Sequence, residues 1–174
     1  CFVPPIYYSC YYFAQCLGVN LRRIGTVPLY RADADLRLPA TRSLLVISDP
    51  IWVFGVNVRP DIIDEIRAWQ DRTGSEVLVD GTFQYTRWGE GACGEASAGL
   101  HPERTFRIVC PTKSLAVHGV RFAYMLLPPD ERESIRYPAA NLTGATGTAN
   151  ELDALRLMAV LNSPDSNREL CRFI

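Results

Sequence analysis

The chain has no surplus of either charge. Eighteen lysines and arginines stand against 19 aspartates and glutamates in 174 residues, a net charge of −1. A nucleic-acid-binding face needs clustered positive charge, and this balance predicts neither that partner nor an anionic membrane surface. No apolar run approaches the roughly 20 residues a spanning helix requires. Only two histidines occur, and the six cysteines at 1, 10, 16, 93, 110 and 171 include no Cys-x-x-Cys pair, so the ligand spacing of a zinc site is missing. The cysteines read instead as small buried hydrophobes of an intracellular protein. No signal peptide opens the chain, and a start at Cys1 without methionine reads as a trimmed beginning. A cytoplasmic location follows as the expectation, and the sequon Asn141-Leu142-Thr143 is set aside with it. Internal repeats and low-complexity tracts are also lacking.

What is present is ordinary globular material, 48% apolar and 21% charged, enough for one domain with a sizeable core. Residues 8–17 read as a helix closed by Gly18, and 19–27 as a strand. Leu44 to Ile47 and Glu76 to Val79 are short apolar runs suited to strands buried in a parallel sheet, the second ending on Asp80. Between them Pro60 opens a helix whose Ile62, Ile63, Ile66 and Trp69 form one stripe and which Gly74 ends. A glycine-rich loop at 89–99 leads to a strand at 105–109, a turn holding Lys113, a strand at 122–127, and an amphipathic helix at 151–161. This alternation predicts an α/β fold around a mostly parallel sheet. Ligands of such sheets bind beyond the carboxyl ends of the strands, where Asp49, Asp80 and Lys113 are the polar residues.

Lys113 lies between two strands that read as buried, an unusual setting for lysine unless it is paired or reactive. A desolvated ammonium loses its proton more readily, and the free amine attacks carbonyls to form a Schiff base. Pyridoxal 5′-phosphate is the common partner of that chemistry. It requires a lysine for its aldehyde, a carboxylate for its ring nitrogen, and donors for its phosphate. Lys113, Asp80 and Arg121 make up such a set, and Thr112, with Cys110 on the same turn, adds a hydroxyl. His118, five residues after the lysine, reads as a packing residue.

The segment CPTKSLAVHGVRFAY at 110–124 resembles the lysine block of the class I/II aminotransferases, the fold-type I pyridoxal-phosphate enzymes. VLVDGTFQY resembles that family's strand ending in the pyridinium-binding aspartate, and SDPIWVFGVNV falls at its Asn-Pro-rich turn. PPIYYSCYYFAQCLGVNLRRI resembles the segment whose aromatic ring stacks on the cofactor. The resemblance covers nearly the whole chain. It implies a three-layer α/β/α large domain over 1–150, incomplete at its start, followed by a helix at 151–174 entering a small domain. It further implies Lys113 as Schiff-base former and proton shuttle, Asp80 under the ring nitrogen, Arg121 with Thr112 and Cys110 on the phosphate, and Tyr7 over the ring. Amino acids and keto acids as substrates and a homodimeric assembly belong to the same implication.

Two positions depart from the pattern. Trp52 stands where the family carries an asparagine, and Phe83 where it carries a tyrosine, both aimed at the cofactor's 3′ oxygen. Tyr85, two residues on along a continuing strand, is placed to replace the missing hydroxyl, and Trp52 offers a second stacking surface. Loss of both donors leaves the cofactor more readily protonated, which moves weight toward a lyase, oxidase or cyclase of specialised amino-acid biosynthesis. An aminotransferase remains the first reading. An aminotransferase-like sensor domain of a transcription regulator is the reading from another class.

Overall fold

A computed structural model of the chain describes residues 1–84, 96–114 and 123–131, together with 152, 153, 155, 156 and 159. Its elements run α1 (Tyr8–Cys16), β1 (Leu44–Ser48), α2 (Pro60–Thr73), β2 (Glu76–Gly81), β3 (Thr105–Val109), α3 (Pro111–Ser114) and β4 (Tyr124–Leu126), with short 3₁₀ turns at Ala96–Gly99, Pro102–Arg104 and Pro129–Glu131. The four strands form one sheet in chain order. β1, β2 and β3 are parallel, and β4 returns antiparallel to β3. The chain is therefore mixed α/β with a mostly parallel sheet, as its alternating pattern predicts.

α2 forms where its sequence says it should. Pro60 sits in the first turn, where its missing N–H costs nothing, and Asp61 places negative charge at the positive helix end. Gly74 ends the helix at φ 67°, a left-handed conformation that glycine alone takes without strain. Ile62, Ile63, Ile66 and Trp69 are all buried against Leu45, Ile47, Val77 and Val79 on one sheet face. Each such side chain contributes about 1.5–3 kcal/mol on leaving water. The Trp69 indole N–H finds its partner in the Pro39 carbonyl at 2.7 Å. Gln70, fully buried beside it, receives the His101 N–H and donates to the Arg104 carbonyl and the Thr105 hydroxyl, tying α2 to the start of β3.

The opposite face holds a smaller cluster of Phe2, Ile6 and Val46, packed by Cys10, Leu21 and Leu78. Residues 1–3 lie along β1, the Val46 N–H donating to the Cys1 carbonyl and the Val3 N–H to the Val46 carbonyl. α1 crosses this side and buries none of its residues. Among the described residues no helix is long and apolar enough to cross a membrane.

Several expectations need correction. Residues 19–27 form no strand; a single bridge joins Arg23 to Phe2. The pairing cannot lengthen, because the Val3 N–H is given to Val46 and Pro4 and Pro5 have none to give. Lys113 is exposed, as are all three residues of β4, so the buried setting expected for that lysine is not found. Of the described cysteines, Cys16 is exposed and Cys1, Cys10 and Cys110 are half-buried, none of them a core residue. The helix expected at 151–161 and the glycine-rich loop at 89–99 lie largely outside the described residues, although 152, 153, 155, 156 and 159 are helical.

Candidate functional site

Three parallel strands end on the same edge, and the turns beyond those ends build one cavity of about 410 Å³. The turn after β1 brings Trp52, the end of β2 brings Asp80 with Thr82 and Phe83 after it, and the β3–α3 junction brings Cys110, Thr112 and Lys113. Among the described residues, Tyr7, immediately before α1, and Ala123, before β4, also line the cavity. Placement beyond the carboxyl ends of parallel strands is where ligand sites of such sheets occur.

Asp80 is half-buried and oriented by the turn after it. One carboxylate oxygen, Oδ1, accepts from the Thr82 N–H at 3.1 Å and from the Thr82 hydroxyl at 2.6 Å. The carboxylate is thereby fixed at the cavity wall by a side chain whose own place is set by two residues of backbone. Thr112 is buried, its hydroxyl 3.1 Å from the Cys110 sulfur, and the Lys113 N–H closes the turn onto the Cys110 carbonyl at 3.0 Å. These bonds hold the hydroxyl and the thiol side by side, with the lysine one residue on.

Aromatic rings form the remaining wall. Tyr7 meets Trp52 edge to face, centroids 5.7 Å apart at 86°, and packs on Tyr8 at 4.5 Å. The Tyr7 and Tyr8 hydroxyls lie 3.2 Å apart, and the hydrogen bond they share, first, and the charge of Tyr7, second, raise the Tyr8 phenol above its ordinary pKa. Edge-to-face contacts of this kind fix ring orientation beyond what area burial alone provides. Cys10, on α1, packs against the cluster of Phe2, Ile6 and Val46. Burial first, and the negative charge of Asp80 second, push its thiol above the usual cysteine range.

The structure thus brings Lys113, Asp80, Tyr7, Thr112, Cys110 and Trp52 into one cavity. Arg121 and Tyr85, and His118 with them, lie outside the described residues. Asp49, read from sequence as a third polar strand end facing the site, does not line it; its side chain is fully buried beneath the loops. Thr82 was missed, and the signal for it was available. An aspartate with a threonine two residues later at a strand end is the pattern of a side chain closing on its own turn.

No family model matches the chain, and no curated protein does either. Solved structures do. An aspartate aminotransferase double mutant from Thermus thermophilus superposes with a TM-score of 0.75 at 16% identity, over 99% of this chain and 45% of that one. A PLP-dependent aminotransferase from Streptococcus suis gives 0.74 at 14% identity, over 98% and 44%. YbdL from Escherichia coli, for which a methionine aminotransferase function has been identified, gives 0.73 at 18% identity, over 99% and 46%. The chain spans less than half the length of each. At these identities the likeness establishes the fold, that of the large domain of aspartate-aminotransferase-like proteins.

Proposed function

We propose that the chain is the cofactor-binding portion of a pyridoxal-phosphate-dependent enzyme acting on an amino acid, and that the reaction is transamination between amino and keto acids. The observation that carries this reading is the convergence of a lysine, an oriented carboxylate, a hydroxyl–thiol pair and an aromatic ring on one cavity beyond three strand ends. That donor set fits pyridoxal 5′-phosphate, whose aldehyde, ring nitrogen, phosphate and flat ring each require one of those groups. The cavity volume lies within the range usual for small-molecule sites.

Asp80 would hold a proton on the ring nitrogen by its negative charge, with Thr82 keeping the carboxylate aimed. Thr112 and Cys110 would donate to the phosphate, joined, on the resemblance, by Arg121. Tyr7 would lie on the ring face, kept upright by Trp52. When bound, the cofactor supplies an electron sink that lets the substrate's α-carbon lose its proton. Lys113 Nζ would hold the cofactor through its aldehyde and, when free, would take up and return the proton at the substrate's α-carbon as general base and acid. Its exposure suits this exchange, because the amine must remain accessible to an arriving amino acid.

A second reading has its own support. Trp52 and Phe83 both line the cavity, at the positions where the resemblance expects an asparagine and a tyrosine. Replacement of the asparagine and tyrosine that the resemblance aims at the cofactor's 3′ oxygen favours a lyase, oxidase or cyclase built on the same cofactor. In the full protein this reading places a small domain after residues 151–174 and a homodimeric assembly. The test is a single turnover by full-length protein loaded with the cofactor and offered a panel of amino acids. Stoichiometric keto acid with retention of nitrogen on the protein is the expected result, abolished in Lys113→Ala. Released ammonia or peroxide would favour the second reading, and turnover unaffected by Lys113→Ala would overturn both.

A further inference from the structure

We infer that Asp49 is a positioning residue which, from outside the cavity, holds the turns that wall it; the inference rests on the reading of that cavity as the cofactor site. Asp49 comes directly after β1, with 0% of its surface exposed. Its Oδ1 accepts from the Val58 N–H at 3.0 Å and its Oδ2 from the Ser97 N–H at 2.9 Å. Its own N–H donates to the Asp80 carbonyl at 3.2 Å, and its carbonyl accepts from Gln84 Nε2 at 3.1 Å. Four polar groups of one residue thus reach four separate segments.

Asp80 is itself a cavity residue, and two of the other segments carry more of them. The bond to Val58 closes the loop 50–57, on which Trp52 stands. Inside that loop the Ile51 N–H donates to the Val56 carbonyl at 2.7 Å, and Val53 takes φ 76°. A left-handed conformation is costly for a β-branched residue and persists only where the surroundings impose it. The loop's shape is therefore held from its base rather than preferred by its own sequence. Gln84 anchors the other turn, 81–84, which carries Thr82, the residue that aims Asp80, together with Phe83. The carboxylate's charge is answered at one remove. Arg107 on β3 donates from Nη1 to the Ser97 hydroxyl and from Nη2 to the Ser97 carbonyl, each at 2.9 Å.

A carboxylate is suited to this place because it offers two acceptor oxygens to two backbone donors. Asparagine has the same shape, but its NH₂ group would face one N–H, so one tie fails while the volume is kept. The test is a titration of full-length protein with pyridoxal 5′-phosphate, following the quenching of tryptophan emission by the bound cofactor, alongside thermal melting. Asp49→Asn should weaken cofactor binding by about tenfold or more and reduce the quenching contributed by Trp52, at temperatures where the variant remains folded. Gln84→Met removes only the second tie and should weaken binding in the same direction with a smaller change. A lowered melting temperature with unaltered affinity and quenching in both variants would make Asp49 merely structural and overturn the inference. Failure of the unsubstituted protein to bind the cofactor would instead overturn the reading of the cavity itself.

Discussion

Among the described glycines, Gly81 is where an added methyl group meets the tightest surroundings. A Cβ built there would lie 2.5 Å from Gln84 Cδ, 2.6 Å from Gln84 Oε1 and 2.6 Å from the Ile108 carbonyl oxygen. None of these can yield cheaply. Ile108 belongs to β3, hydrogen-bonded in register with β2. Gln84 is 1% exposed, and swinging it away breaks its bond to the Asp49 carbonyl. Forcing an extra methyl into packed surroundings costs about 1–3 kcal/mol. Losing a buried hydrogen bond adds about 1 kcal/mol. Gly81→Ala should therefore destabilise the protein by about 2–4 kcal/mol. At 2–4 °C per kcal/mol for a chain of this size, the melting temperature should fall by roughly 5–15 °C. Gly99→Ala is the matched control, since its Cβ would meet only Ile63 Cγ2 at an ordinary 3.5 Å. That change should be neutral or stabilising by up to about 1 kcal/mol, through the unfolded chain's lost freedom. Thermal unfolding followed by circular dichroism compares the two. Equal melting temperatures for both variants would refute the packing described around Gln84.

Three further outcomes rest on the same geometry. Because burial first and the charge of Asp80 second hold the Cys10 thiol above its usual pKa, the thiolate is scarce at mildly alkaline pH; Asp80→Asn removes the second cause, lowers that pKa and should speed alkylation of Cys10. Mass mapping of the Cys10 peptide, with exposed Cys16 as internal reference, reads this, and an unchanged ratio would mean that the thiol does not sense Asp80. Trp69→Phe removes the indole donor to the Pro39 carbonyl and part of a fully packed ring, a loss of about 1.5–3 kcal/mol measurable by denaturant unfolding; a cost under about 0.5 kcal/mol would contradict the packing. Phe83→Tyr returns a hydroxyl to the cavity wall. A donor that draws charge from the cofactor's phenolic oxygen weakens its hold on its proton, so the pH midpoint of its visible absorption should move down, and a midpoint that stays in place would count against that assignment.

How much of this was legible beforehand depended on whether the cause was local. α2 could be read residue by residue, since its proline start, its glycine end and its stripe at helical spacing are all properties of one segment. The three parallel strands were equally plain as short apolar runs. The strand expected at 19–27 failed for a reason that lies elsewhere in the chain, in the two prolines that interrupt its partner. Asp49 and Asp80 show the deeper difficulty. Both are aspartates at strand ends, and that position alone does not separate an anchor from a site residue. Register does: Ser48 pairs with Asp80, so Asp80 shares a sheet face with Ser48, while Asp49, one residue further, turns toward the core side with Ile47. A shift of one residue exchanges the two faces, and only pairing between strands fixes it. Lys113 was singled out for its chemistry and misjudged for its burial, because the apolar residues of β4 suggested a covered strand that the structure shows exposed.

On the proposed reading the Lys113 amine and the Asp80 carboxylate serve one pyridine ring. Borohydride reduction of the full-length protein after loading with pyridoxal 5′-phosphate, then peptide mapping, tests it most directly. One cofactor-derived mass addition is expected, on the peptide containing Lys113, with a sharp loss of that label when Asp80→Asn is loaded at the same concentration. A label on any other lysine, or equal labelling of the Asp80→Asn variant, would contradict it.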